Sequence, residues 1–337
     1  SQELSSLVYV DLSAAAGSVE DCKLADRSLG FDLHSGSQMR LTVLDLGDDT
    51  YEFVWSHHHI LMDGWCVGIL IKEFLQLYES HLSGKPATLG TVYPYSDYIK
   101  WLIRLNWNAS LNYWNQYLSG YDSISGLPKK HLKGDGYLRK QESVMVKGSS
   151  RFAVTGLCTD LGITENTLIQ TAWGILLGRY NNTDDVVFGA VVSGRPAEVN
   201  GIEEMIGLFI NTIPVRIGFG DEVPVASLLK SVQQDSIAGT SHHYTQLARI
   251  QSLSELTGEL FDHILVFENY PVQELVSREI TEEDNDLSLL SSSLFEQTGY
   301  DLTVMIIPGQ DALEIRFEYN GHVYEGAMLS RLAAHFL

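Results

Sequence analysis

The chain has 337 residues, more than one compact core usually holds, so we expect two lobes or two domains. Hydrophobic residues make up 45% of the sequence and charged residues 19%, a composition that excludes a disordered protein. Asp and Glu (43) outnumber Lys and Arg (22), and the formal net charge of -21 argues against nucleic acid or an anionic membrane as a partner, because the long-range field repels both.

The sequence carries no sign of a membrane span or of secretion. No apolar stretch approaches the roughly 20 residues that cross a bilayer, and the opening segment lacks a basic region followed by an apolar one. The cysteines, Cys22, Cys66 and Cys158, are widely spaced, with no second Cys at metal-ligand spacing, so we expect reduced packing residues. These features predict a cytoplasmic protein.

The first predicted elements form a hairpin that leads into a helix. Residues 40–47 and 51–57 alternate as strands do, and Asp48-Asp49 between them predicts a turn. From Trp65 the apolar residues recur at three- and four-residue steps, which predicts a helix ending at Gly84 and Pro86.

Further elements follow in a mixed α and β order. A helix with an aromatic stripe that we assign to the core is predicted from Trp107 to Gly120, and the polar stretch 121–140 predicts a connection between lobes. Thr164 predicts the cap of a helix that carries Leu168, Ala172, Ile175 and Leu176. The remaining predictions are a buried strand at 184–192, an exposed acidic loop at 277–293, a strand at 312–320 and a helix at 328–337.

The densest chemical signal is SHHHILMDGW at 56–65, where the second predicted strand meets the first predicted helix. Alternate side chains of a strand share a face, so we expect His57 and His59 on one face and His58 on the other. The three histidines therefore cannot all serve one site. A neutral imidazole with a pKa near about 6.5 can accept a proton at physiological pH, and we predict that His59 is a general base.

Asp63 and Gly64, which follow the histidines, admit structural and functional interpretations. Asp63 stands where the helix begins, so the sequence favours an N-cap whose carboxylate accepts backbone N–H bonds, or a buried ion pair, over direct catalysis. Gly64 permits backbone conformations that a side chain would forbid, and lets a substrate approach the main chain. The alternative is a metal site with His57, His59 and Asp63 as ligands. No further Cys or His cluster completes such a set, so we predict no metal.

At this point the sequence resembles a known family. HHILMDG at 58–64 is similar to the HHxxxDG signature of the condensation domains of non-ribosomal peptide synthetases. Other segments resemble further motifs of the family in the expected order: FDL at 31–33, YSDYIKW at 95–101, SGRP at 193–196, IGLFINTIPVR at 206–216 and LFDHILVFENYP at 260–271. The family's late Arg-Asp-x-Ser motif is not evident before Leu260, and its first two motifs do not occur ahead of the histidines. We therefore expect the chain to begin partway through the N-terminal lobe.

The resemblance implies a mixed α/β fold of two chloramphenicol acetyltransferase-like lobes in a V arrangement, with a tunnel between them. Residues 1–125 would be the C-terminal part of the N-terminal lobe, with the HHxxxDG motif, and residues 126–337 the C-terminal lobe. The implied reaction is peptide-bond formation between a donor aminoacyl or peptidyl thioester and the α-amine of an acceptor aminoacyl thioester. INTIPVR at 210–216 is similar to domains that accept an L-configured donor.

The resemblance also implies partners and roles. The domain itself binds no cofactor, since the phosphopantetheine belongs to upstream donor and downstream acceptor peptidyl carrier proteins, and an adenylation domain is the expected neighbour. His59 acts as the base or orients the amine by a hydrogen bond, the Gly64 N–H contacts the thioester carbonyl, and an Arg ahead of this chain pairs with Asp63. The remaining site candidates are the supporting residues His58 and Asp63, and the tunnel-lining residues Trp65, Ser193 and Asn211, the last with a satisfied turn Asn as its structural alternative.

Two other functions compatible with the same fold are kept as alternatives. One is an acyltransferase that moves an acyl group from coenzyme A to a small alcohol or amine. The other is a catalytically idle interaction domain that recruits partner proteins. The presence of His59 and Gly64 favours catalysis over the idle domain.

Overall fold

The computed structural model describes residues 7–13, 17–130, 136–220, 222–256, 258–268, 290–293 and 295–337. The chain folds into two units. The first comprises Ser1–Tyr95 and Glu203–Phe209, and the second Ser96–Ile202 and Ile210–Leu337. Each unit has its own sheet, so the predicted mixed α/β class is confirmed. No helix in the described part of the chain is both long enough and apolar enough to span a membrane.

The first unit contains a three-stranded sheet in the order β1-β2-β3. β1 is parallel to β2, and β2 is antiparallel to β3. One helix precedes β2 and one follows β3. The bounds are β1 Leu7–Asp11, α1 Val19–Leu29, β2 Met39–Gly47, β3 Thr50–His57 and α2 Gly64–Ser83.

The predicted hairpin is confirmed, and its turn sets the position of the histidines. Asp48 and Asp49 join β2 to β3 with φ values of 51° and 54°. Two central residues with positive φ are the requirement of the type I′ turn, whose twist matches that of the flanking strands. The register of the hairpin then places His57, the last residue of β3, opposite Met39.

The helix predicted after the histidines is also confirmed. α2 ends at Ser83, and Gly84 follows in the left-handed conformation with φ of 68°, which closes the helix without the strain that a side chain would add. The strand thus ends at His57 and the helix begins at Gly64, so the residues between them form a short loop.

The second unit contains a six-stranded mixed sheet in the order β4-β9-β8-β7-β5-β6. β7 is parallel to both β5 and β8, and the other neighbours are antiparallel. The helices are α3 Tyr95–Arg104, whose first residue belongs to the first unit, α4 Trp107–Tyr117, α5 Ser149–Leu161, α6 Glu165–Asn181, α7 Val225–Gly239, α8 Leu247–Gln251 and α9 Gly326–Phe336. The strands are β4 Arg139–Lys147, β5 Asp185–Val192, β6 Asn211–Gly218, β7 Ile264–Phe267, β8 Leu302–Pro308 and β9 Ala312–Asn320.

Both faces of this sheet are covered. Phe188 of β5 belongs to a cluster that also contains Trp173 of α6 and Leu329 of α9. The neighbouring Val187 belongs to a second cluster, with Trp114 of α4. Because successive side chains of a strand point to opposite faces, helices pack on both sides of the sheet. This explains why β5, predicted as a buried strand from DDVVFGAVV at 184–192, is buried along most of its length.

The division into units differs from the boundary that the sequence indicated between residues 125 and 126. Residues 96–125 belong to the second unit. The physical reason is that Trp114, Leu118 and Tyr121 are buried in the same cluster as Phe261. The polar stretch 121–140 therefore falls within the second unit.

Most other predicted elements agree with the structure. The helices predicted from Trp107 and after Thr164, and the strand at 312–320, are present as α4, α6 and β9. In α6 the predicted apolar stripe is only half-buried, whereas Ile169, Trp173 and Leu177 are buried, because the helix packs on more than one side. Of the predicted loop at 277–293, the part up to 289 lies outside the described residues.

We expect the cap of α6 to be a measurable contribution to stability. The Thr164 hydroxyl accepts a hydrogen bond from the Thr167 N–H at 3.1 Å. Thr164→Ala removes this acceptor and should lower the free energy of unfolding by about 1 kcal/mol, whereas Thr164→Ser should retain most of it. Urea denaturation followed by circular dichroism measures both, and equal midpoints for Thr164→Ala and the unmodified chain would contradict the assignment.

Candidate active site

The histidine motif lies at the strand-to-helix junction that the sequence predicts. β3 ends at His57, and α2 begins at Gly64. The start of the loop is anchored to the strand before it, because the His58 N–H donates to the Gln38 carbonyl oxygen at 2.9 Å. The loop is therefore held by the hairpin at one end and by a 20-residue helix at the other.

The predicted division of the histidines between two sides is confirmed. The His57 ring lies 5.8 Å from that of Trp55 and 6.1 Å from that of His59. His58 instead packs edge-on against Phe31, with ring centroids 6.2 Å apart. Phe31 is the first residue of the FDL segment, and the Arg40 guanidinium lies 4.2 Å from its ring centroid.

The hydrogen bonds of His58 indicate a supporting role. Its Nδ1 accepts the Ile60 N–H at 3.0 Å, so in the neutral ring the proton resides on Nε2. This bond closes the turn that follows the strand and fixes the ring. His58 therefore shapes the loop that carries the next histidine.

A different contact fixes the tautomer of His59. Its Nδ1 lies 3.2 Å from the Met62 carbonyl oxygen. A carbonyl oxygen can only accept, so Nδ1 carries the proton, and the neutral ring has its lone pair on Nε2. His59 is half-buried and can serve as a proton acceptor through Nε2.

His57 is expected to remain neutral beside it. Burial lowers the pKa of His57, and the neighbouring rings of His59 and His58 lower it further. A positive charge that forms on His59 during a reaction would therefore not be repelled by a second positive charge on His57.

Asp63 is buried, with only 1% of its surface exposed. It occupies the N-cap position of α2 with an extended backbone, but its side chain makes no cap bond to this helix, so the predicted capping bond is wrong. Its Oδ2 instead accepts the N–H of Phe209 at 3.0 Å, and its Oδ1 lies 3.3 Å from the thiol of Cys66. The carboxylate thus joins the histidine loop to residues 203–209, which belong to the same unit.

The contacts between the loop and residues 203–209 were not foreseen from the sequence. The Asp63 N–H donates to the Gly207 carbonyl oxygen at 3.3 Å, and the buried Cys66 thiol lies 3.3 Å from the same oxygen. Tyr95 donates its hydroxyl to the Leu208 carbonyl oxygen at 2.7 Å. The sequence singled out both segments as motifs, but nothing in it indicates that they pair.

Gly64 and Trp65 differ in what surrounds them. A Cβ added to Gly64 would meet no atom within 4 Å, and its φ lies outside the left-handed region, so backbone geometry does not require a glycine there. The space next to it is open to a ligand. The Trp65 indole N–H donates to the Glu203 carbonyl oxygen at 2.6 Å, which orients this half-buried ring.

Ser193 and Asn211 belong to the second unit, where the structure brings them together. Val192 pairs with Asn211 across β5 and β6, so Ser193 follows directly at the same end of this hairpin. The Asn211 amide donates to the carbonyl oxygens of His243 and Thr245, both at 2.7 Å. This gives Asn211 a structural role, and the lining of a tunnel by Trp65, Ser193 and Asn211 stays a prediction.

Metal ligands do not converge in the described ranges. No group of three or more His, Cys, Asp or Glu side chains there is arranged to hold a metal ion. The three cysteines are free thiols, and Cys66 and Cys158 are buried.

Comparison with known proteins gives a consistent result. The family model of the condensation domain matches residues 3–337. A plipastatin synthase of Bacillus subtilis (strain 168) is 44% identical over 314 residues, which are 92% of this chain and 12% of that protein. Bacitracin synthase 3 of Bacillus licheniformis is 40% identical over 324 residues, which are 95% of this chain and 5% of that protein. The chain thus spans a small part of the length of these relatives.

A solved structure supports the fold. The starter condensation domain of rhizomide synthetase, crystallised in complex with C8-CoA, superposes with a TM-score of 0.76. The match covers 98% of this chain and 76% of that domain. The sequence identity is 19%, so the similarity supports the fold alone.

The packing of Gly207 predicts that any side chain there will disturb the histidine loop. A Cβ at Gly207 would lie 2.1 Å from the ring of Tyr95, closer than two non-bonded carbon atoms can approach. Gly207→Ala should therefore displace residues 203–209 and destabilise the protein by about 1–3 kcal/mol. Thermal denaturation measures the loss, and Gly90→Ala, where a Cβ would meet no atom within 4 Å, is the control.

A double variant separates this clash from other effects of alanine. In Gly207→Ala combined with Tyr95→Ala the clashing ring is gone, so the two changes should cost less together than the sum of their separate costs. Additive costs would contradict the proposed contact.

Proposed function

The chain belongs to the condensation-domain family, and we propose that it forms a peptide bond between two carrier-bound thioesters in a non-ribosomal peptide synthetase. The donor is an aminoacyl or peptidyl thioester, and the acceptor is the α-amine of a second aminoacyl thioester. The single observation that carries this proposal is the orientation of His59, whose Nδ1 contact with the Met62 carbonyl oxygen leaves Nε2 as the proton acceptor.

In the proposed reaction the acceptor nitrogen attacks the donor carbonyl carbon. When His59 acts as the base, its Nε2 receives a proton from this nitrogen as the C–N bond forms. The carbon–sulfur bond then breaks, and the proton passes to the departing thiolate of the donor arm. Atoms and charge balance without a further reactant, and the histidine returns to its neutral state.

Positioning is expected to contribute more than proton transfer. An α-amine with a pKa near about 8 is about one-tenth neutral at pH 7, so a strong base is not required. General-base help typically contributes ~10²–10⁴-fold, whereas holding two reactants in register can reach effective molarities of ~10⁵ M or more. His59 therefore acts either as the base or as the hydrogen-bond partner that orients the amine.

Gly64 is the candidate contact for the donor carbonyl oxygen. Its N–H is the first of α2, a position without an intrahelical acceptor, at the positive end of a long helix. The space beside its Cα is open. A developing negative charge on the carbonyl oxygen would be stabilised there. In this scheme His58 and Asp63 support the loop and do not touch the reacting atoms.

The finer assignments belong to the same proposal. The partners are an upstream donor carrier protein, a downstream acceptor carrier protein and a neighbouring adenylation domain, and the carriers supply the phosphopantetheine, so that the domain itself needs no cofactor. The similarity of residues 210–216 to domains of that type supports an L-configured donor. A cytoplasmic location is part of the same proposal.

The proposal predicts different results for two neighbouring histidines. In a protein that carries this chain together with the family's N-terminal motifs, two carrier proteins loaded with aminoacyl donor and acceptor should yield a dipeptidyl thioester, measured by mass spectrometry. His59→Ala should reduce the single-turnover rate by about 10²-fold or more, because Nε2 is lost. His57→Ala is the matched control and should still form product.

Two results would refute this assignment. One is unchanged product formation by His59→Ala. The other is turnover of free coenzyme A thioesters in the absence of carriers, which would favour the coenzyme A-dependent acyltransferase.

A further inference from the structure

The second unit contains a cavity of about 80 Å³ that is distinct from the histidine motif. It lies beside the edge strand β6, and α4, α6 and α7 supply most of its walls. Its apolar wall includes Ile213, Val215 and Val232. This volume is enough for a molecule of a few non-hydrogen atoms, since a cavity needs roughly 10–15 Å³ to hold a single water.

Polar side chains line this cavity. Three helices and the segment after α7 supply five of them: Tyr113, Asn166, Gln170, Asp235 and His243. Their side-chain polar atoms make no hydrogen bond to any residue in the described ranges. Gln170 is only 6% exposed, and the Asn166 Oδ1 is buried. Buried polar atoms in proteins almost always have a partner, so the unpaired Asn166 Oδ1 points to a polar occupant.

The glycine at the end of α7 keeps the cavity open. A Cβ at Gly239 would lie 3.2 Å from the Tyr113 hydroxyl and 3.7 Å from His243 Nε2. Gly239 has φ of -69°, an ordinary helical value, so its conformation does not require a glycine. A methyl group here would therefore enter the space between the two polar groups.

The charged residues that line the cavity indicate the sign of the charge that an occupant would carry. Arg216 also lines the cavity, but its guanidinium is paired with both carboxylate oxygens of Asp185, at 2.8 and 2.6 Å. Asp235, exposed at the mouth, has no such counter-ion in the described part of the chain. Burial lowers the pKa of His243 to about 4, so this ring is a neutral acceptor and adds no positive charge. Burial raises the pKa of the Asp235 carboxyl, and in its ionised form this group gives the cavity a negative charge that no cation among the described residues compensates.

We propose that this cavity binds a primary ammonium group carried by a small molecule. The amide oxygens of Asn166 and Gln170 and the carboxylate of Asp235 receive its N–H groups, and the apolar wall receives its short carbon chain. An ammonium group has three donors and no acceptor, which matches a set of acceptors with one negative charge. The site does not depend on the proposed condensation activity, since none of its residues belongs to the histidine motif.

The direct test is a titration of this chain with ethylammonium chloride, followed through the ring Cε1–H signal of His243 in NMR spectra. The spectrum of His243→Gln assigns this signal. We expect a saturable shift with a dissociation constant in the millimolar range, because so few atoms cannot supply tighter binding. Tetramethylammonium chloride carries the same charge without N–H donors and should leave the signal in place.

Two variants identify the acceptors. Gln170→Leu keeps the volume and removes the amide, and Asp235→Asn removes the charge at an exposed position where folding is not at risk. Each should weaken ethylammonium binding about tenfold or more, as expected for a lost charge-assisted or buried hydrogen bond. Gly239→Ala should weaken it as well, whereas Gly156→Ala, where a Cβ would meet no atom within 4 Å, should not.

The proposal fails if ethylammonium causes no saturable shift of the His243 signal. It also fails if tetramethylammonium causes the same shift, because the site would then respond to charge alone. Unchanged affinity in both Gln170→Leu and Asp235→Asn would equally refute it.

Discussion

The buried carboxylate of Asp63 is the constraint on which the histidine loop depends. An ionised group removed from water is costly unless it is hydrogen-bonded, so its contacts with the Phe209 N–H and the Cys66 thiol hold the loop in one arrangement. The first of these contacts connects residues that are 146 positions apart in the chain. The space beside Gly207 is filled by the ring of Tyr95, which leaves no room for another path of residues 203–209. Residues outside the loop, in α2 and in 203–209, therefore hold it in place.

This arrangement determines which imidazole nitrogen of the neutral His59 ring has the lone pair. Met62, one residue before the buried aspartate, is itself 2% exposed, and its carbonyl oxygen holds Nδ1 of His59. The motif therefore divides its tasks between neighbours: His58 closes the turn, His59 presents Nε2, and His57 remains uncharged at their side. In the proposed reaction, a base kept in one tautomer by a fixed carbonyl needs no reorganisation when the reaction begins.

The sequence predicted what local patterns determine. The hairpin, α2 and the separation of His57 and His59 from His58 follow from the periodicities of strand and helix and from the turn at Asp48-Asp49. Alternation and capping patterns do not encode contacts between distant segments. For this reason the pairing of Asp63 with Phe209 was missed, and Asp63 was expected to cap its own helix or to form a buried ion pair. The unit boundary was missed for the same reason. Trp114 of α4 is buried against residues that are distant in the sequence, and these contacts place α4 in the second unit.

The tautomer of His59 is the claim from which the proposed chemistry proceeds, and nitrogen-15 NMR measures it directly. In the protein labelled at its histidine side chains, with the signal identified by its loss in His59→Gln, the long-range proton–nitrogen spectrum distinguishes a protonated ring nitrogen from one with a lone pair. We predict a protonated Nδ1 and an unprotonated Nε2 at neutral pH. A proton on Nε2 in the neutral ring, with the lone pair on Nδ1, would contradict the account.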